Sequence, residues 1–184
     1  MAYRDRMPGI RPHLTVGRRL DIAWRHAFPG ITSILLMVLS MVHFGIWGQA
    51  ALLPTVTLSC VWFWSLFRPA AMPPPIVFLI GLLLDLLGYL PLGVGPITML
   101  FTHGTALRLH RFVSRQGFAV AWIIFTATAC GVATLNWILV SLLTFSLKPI
   151  GPVLFQAGLA VAMYPVVAVP LMLAHRSVAD PDLA

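Results

Sequence analysis

The apolar positions of this chain gather into six runs, each separated from the next by a short polar or proline-rich break. The first extends from Pro29 to Trp47 and the second from Ala50 to Phe67, where Arg68 and Pro69 end it. Three prolines, Pro73 to Pro75, precede the third, which continues from Ile76 to Gly88 and stops near Tyr89-Leu90-Pro91. The fourth covers Leu92 to Leu107, the fifth Phe118 to Leu147 and the sixth Ile150 to Ala174. Roughly 20 helical residues cross a hydrocarbon core at about 1.5 Å each, so the pattern predicts an all-α bundle of six transmembrane helices. The third run is short for a span and implies local thinning or burial inside the bundle. The fifth is long, which predicts tilt or a helix that projects beyond the membrane. Pro165 and Pro170 fall inside the sixth and predict a kink.

Ahead of these runs, Leu20, Trp24 and Phe28 recur four residues apart beside Arg18, Arg19 and Arg25. Two readings of Leu14 to Phe28 stand side by side: a basic amphipathic helix on the inner leaflet, or a disordered basic tail that only sets topology. The first apolar run is too long for the core of a cleaved signal, although Gly48-Gln49-Ala50 resembles a cleavage site, and it reads as a retained anchor. The chain therefore divides into a basic segment, 1–28, a membrane domain, 29–175, and a short tail, 176–184.

Composition agrees. Of 184 residues, 59% are hydrophobic and only 9% charged, with a mean hydropathy of +0.92, too little polar surface to clothe a soluble globule. The net charge of +7 does not point to nucleic acid, because the basic residues sit beside apolar runs rather than among exposed aromatics. Six alternating spans with the N-terminus inside place eleven of the twelve basic residues in the cytoplasm and leave Lys148 alone outside. The positive-inside rule thus predicts that both termini are cytoplasmic. Cys60 and Cys130 each lie within an apolar run and read as packed hydrophobic thiols rather than a disulfide or a metal cage.

Candidate chemistry is sparse. The chain has no Glu, and of its five Asp residues only Asp85 falls within a predicted span. Such a group costs about 2.5–3.5 kcal/mol to insert, so it is expected to face the bundle or water. Helical spacing puts Phe78, Gly81, Asp85, Gly88 and Leu92 on one face, with the glycines admitting a close neighbour. Asp85 reads either as a proton relay or partner anchor, or as a carboxyl that ties two helices together or caps the 92–96 turn. His43, His103 and Asn136 lie at depths from which they could reach it. No nucleophile elbow, zinc helix, phosphate loop, paired carboxylates or cofactor motif is present, so an enzyme is not expected. Small residues four apart, Ala127 with Gly131 and Gly158 with Ala162, predict tight helix packing.

The pattern Gly81-x-x-x-Asp85-x-x-Gly88-x-x-Pro91-Leu92-Gly93, leading into a span that ends in arginines, resembles MreD, the rod shape-determining membrane protein family of bacteria. The resemblance implies a non-enzymatic inner-membrane scaffold of the cell-elongation machinery. It would associate with MreC and, through it, with MreB, RodA and a class B penicillin-binding protein to direct lateral peptidoglycan synthesis. It also implies a six-helix fold similar to the S-components of energy-coupling-factor transporters, no metal or cofactor, and a motif on Gly81, Asp85, Gly88, Leu92 and Gly93. Contacts with membrane lipid and with further copies of the chain are compatible with it. The S-component likeness keeps a second expectation open, a subunit that binds or transports a small molecule or lipid. That reading needs convergent polar groups, and the external loops offer little beyond Gln49, Tyr89, Thr98 and Lys148.

Overall fold

Prolines mark where several helices begin. The first four amides of a helix have no partner within it, so a residue without an N–H is tolerated there and its fixed φ is already helical. In a computed structural model, the described residues are 16–42, 49–88, 91–113 and 116–179, with side chains described except at 16–23, 49 and 176–179. Among them the chain forms six α-helices and no strand: α1 Val16–Leu39, α2 Leu52–Phe67, α3 Pro74–Gly88, α4 Val94–Val113, α5 Phe118–Leu143 and α6 Gly151–Ala179. Pro54, Pro96 and Pro152 fall within the first three residues of α2, α4 and α6, and Pro74-Pro75 opens α3.

Helix α2 is apolar all round and is therefore the one to bury. Every residue from Thr55 to Leu66 is buried, with α1, α3, α4 and α6 packed about it. Its hydroxyls turn back on their own helix: Thr57 donates to the Leu53 carbonyl at 2.7 Å and Ser59 to that of Thr55 at 2.9 Å. Aromatic edges lock the neighbours in place. Trp64 meets Phe28 of α1 at right angles, and Trp62 meets Phe125 of α5, on which Tyr164 of α6 stacks at 4.2 Å. The surrounding helices bury one face and turn apolar side chains outward on the other, as with Leu35, Leu79, Ile123, Leu154 and Leu173. α5 and the Gly151–His175 part of α6 are long and apolar enough to cross a membrane.

Two prolines inside helices are used as cross-links. Proline at position i leaves the carbonyl of residue i−4 without its helical donor. Pro29 frees the carbonyl of Arg25, and Arg68, just past α2, donates to it from Nη1 at 3.4 Å. Pro165 frees the carbonyl of Val161, and Trp122 of α5 donates to it from Nε1 at 3.0 Å. Trp122→Phe is therefore expected to cost about 1 kcal/mol in the natural chain and almost nothing in a Pro165→Ala background. Thermal melts of the four proteins of this cycle check the coupling.

Several expectations change. α5 ends at Leu143 rather than Leu147, with Thr144 bonded back to the Val140 carbonyl and Phe145 in a left-handed conformation, φ 49°. α1 crosses position 28 without interruption, while residues 1–15 of the basic segment and 180–184 of the tail lie outside the described residues. Pro165 and Pro170 do lie inside α6, as the sequence places them. Cys60 is buried, but Cys130 is exposed on the outer side of α5 and is not a packed thiol. The small pairs do not seal the bundle either. Gly131 lies 3.6 Å from the Phe101 ring by its would-be Cβ, whereas Ala127, Gly158 and Ala162 face outward.

Candidate functional site

α3 and α4 approach each other closely, at a contact built from residues with little or no side chain. Seen down α3, Val77, Ile80, Gly81, Leu84 and Asp85 make up the buried face. A Cβ at Gly81 would stand 2.6 Å from both the nitrogen and the Cα of Pro96, a backbone collision with no flexible partner to yield. A Cβ at Gly95 would collide with the Gly81 carbonyl oxygen and the Asp85 carboxyl. Only glycine at both positions lets the two backbones touch.

Asp85 closes this contact. Gly93, immediately before α4, has φ +103°, a conformation open to glycine, and so the cap position carries no side chain of its own. The carboxyl of Asp85 supplies what is missing from one turn before the end of α3. Gly93 N–H donates to Oδ2 and Gly95 N–H to Oδ1, both at 2.7 Å. Short bonds to a carboxylate at the positive end of α4 are among the stronger hydrogen bonds a helix start can make. Asp85 is only 1% exposed, and each of its oxygens has a backbone donor.

The other singled-out residues separate. Gly88 ends α3 half-buried, and Leu92 is 67% exposed beside the turn. Phe78 is also exposed, because it lies about 60° around the helix from Gly81 at 100° per residue, past the edge of the buried sector. His103 bonds through Nδ1 to the hydroxyl of Ser65 at 2.8 Å, tying α4 to α2 rather than reaching Asp85. Asn136 is half-buried on α5, its Oδ1 without a protein partner, and lines two small cavities with Gln156 of α6. His43 lies outside the described residues. Among the described residues no three His, Cys, Asp or Glu side chains cluster as metal ligands do. Gly95, Ser65 and Gln156 were not singled out by the sequence. Only Gly95 had a signal, since it follows Gly93 by two and immediately precedes a proline.

The site is thus a carboxylate-capped, glycine-sealed helical turn that fixes α3 against α4. No protein-family model matches the chain, and no curated protein or solved structure matches it.

Proposed function

We propose that this chain is a six-span protein of the bacterial inner membrane, both termini cytoplasmic, that serves as a non-enzymatic scaffold of the cell-elongation machinery in the manner of MreD. The observation that carries the reading is the α3–α4 turn. Of the five residues on which the resemblance rests, Gly81, Asp85 and Gly93 each have a task in one contact. The apolar side chains that α1, α3, α5 and α6 turn outward favour a lipid surround, since a soluble monomer rarely exposes so much apolar surface. The basic residues also favour the proposed orientation. Arg25 meets Arg68, and His110, next to Arg111, bonds the Leu66 carbonyl, so these residues share one end of the bundle. Lys148, whose carbonyl accepts from Trp137 Nε1, belongs to the opposite end with the Asp85 turn.

That opposite end is the proposed contact for MreC and, through it, for MreB, RodA and a class B penicillin-binding protein. It exposes Leu92, Leu147 and Ile150, apolar side chains suited to a single-span partner. The alternative, an S-component-like binder of a small molecule, draws on Asn136, Gln156 and Thr98 around the inner cavities. Those cavities are each about 20 Å³, room for one water. Depleting the protein in its rod-shaped host while pulling down MreC tests the scaffold. Rounded cells and co-purified MreC are expected. Unchanged rods with no MreC recovered would sink it, and stabilisation by a vitamin or lipid-linked sugar would promote the alternative.

A further inference from the structure

A pocket of about 420 Å³ opens at the arginine-rich end of the bundle, between α1 and the turn that follows α2. Arg25, His26 and Arg68 line it together with an apolar wall of Phe67, Pro69 and Ala70. The guanidinium of Arg68 has five N–H donors, of which the bond to the Arg25 carbonyl occupies one. Beneath the wall, the His175 ring lies 6.1 Å from that of Phe67, with Nδ1 buried and without a hydrogen-bond partner. Trp24, 58% exposed, stands next to Arg25. Among the described residues no carboxylate lines the pocket. Asp21 is one turn from Arg25 along α1, and Asp85 belongs to the opposite end.

We propose that this pocket binds the phosphate of an anionic membrane lipid headgroup, a reading that rests on the chain being a membrane protein. Guanidinium groups match phosphate in geometry and remain charged at any physiological pH. The volume is far larger than an inorganic anion needs and falls in the range of sites that hold whole small molecules. Four of the seven lining residues, Phe67, Pro69, Ala70 and Ala71, are apolar, which suits glycerol and the first acyl carbons better than a free ion. An exposed tryptophan beside arginines belongs at the level of lipid headgroups. Basic residues at the inner rim are also where anionic lipids concentrate. Phosphate thus meets Arg68 and Arg25 while the lipid tail leaves along the exposed face of α1.

Native mass spectrometry of the detergent-purified full chain tests this, with phosphatidylglycerol titrated against phosphatidylcholine of the same acyl chains. Wild type is expected to retain phosphatidylglycerol in preference. Arg25→Gln and Arg68→Gln each lower that affinity by about fivefold, Arg68→Lys by less, and the Arg108→Gln/Arg111→Gln control not at all. Equal binding by wild type and Arg25→Gln overturns the site, and that variant together with His26→Gln decides the matter if Arg68→Gln does not fold. A parallel arm adds inorganic phosphate. Full displacement of the lipid at millimolar phosphate overturns the lipid assignment in favour of a free anion. Alkaline washing of cell membranes separates the two levels. A chain that washes off removes the membrane reading itself, whereas a retained chain with no arginine-dependent lipid removes only the pocket.

Discussion

Gly81→Ala and Gly95→Ala are each expected to destabilise the protein by about 3 kcal/mol or more, the upper end of what overpacking costs. The reason is the identity of the atoms struck. At Gly81 they are the backbone of Pro96 and Gly95, and at Gly95 the carbonyl of Gly81 and the Asp85 carboxyl. None is the free end of a flexible side chain, so relief requires α3 and α4 to move apart, and the bonds to Asp85 would lengthen with them. Gly104→Ala is the control. It lies on the same helix with nothing within 4 Å of its would-be Cβ, and alanine there is expected to be neutral or to stabilise by up to about 1 kcal/mol. Tryptophan fluorescence melts in detergent measure all three. Equal midpoints for Gly81→Ala and Gly104→Ala would refute the close contact.

The second large effect is at Asp85. Asp85→Leu preserves bulk but orphans the amides of Gly93 and Gly95 at about 1–3 kcal/mol each, and removes the negative charge facing the start of α4. Asp85→Asn keeps one acceptor oxygen and turns an NH₂ toward the other amide, so one bond survives and a donor faces a donor. Stability is expected to fall in the order Asp, Asn, Leu, with the asparagine variant near the midpoint. Amide hydrogen exchange gives a local readout, since Gly93 and Gly95 exchange faster in both variants and Val77, a buried residue near the start of α3, does not. A proton relay predicts something else: Asn and Leu would be equally inactive in the host while the purified proteins kept their melting points.

The helices were legible because their signals are local. Apolar runs bounded by proline and arginine placed α2, α3 and the starts of α4, α5 and α6 within about two residues. α1 instead runs Val16–Leu39 rather than Pro29–Trp47, because the amphipathic segment before Pro29 joins the same helix. The Gly81–Gly93 spacing pointed to the right turn. What stayed hidden depends on three dimensions. Helical spacing alone put Phe78 on the face of Asp85, but it does not reveal how wide a sector the neighbour covers, and α4 covers only the sector centred near Gly81. The donors that Asp85 meets are backbone amides, which every residue carries and no pattern marks. His103 was as good a candidate partner by depth as any, yet Ser65 of α2 was nearer. Small residues four apart indicated packing along α6, where they face outward, because small size permits a close approach and does not supply one.

The helical prolines carry a consequence for how such a chain can change over time. Two of them, Pro29 and Pro165, leave a carbonyl free to accept from a distant side chain, that of Arg25 from Arg68 and that of Val161 from Trp122. The order of substitution then matters. Once Pro165 is replaced, Val161 recovers its own helical donor and Trp122 is free to drift. While Pro165 remains, loss of the indole leaves a carbonyl stranded in apolar surroundings. Related sequences are therefore expected to lose the proline first and the tryptophan later, a direction of drift imposed by one missing N–H.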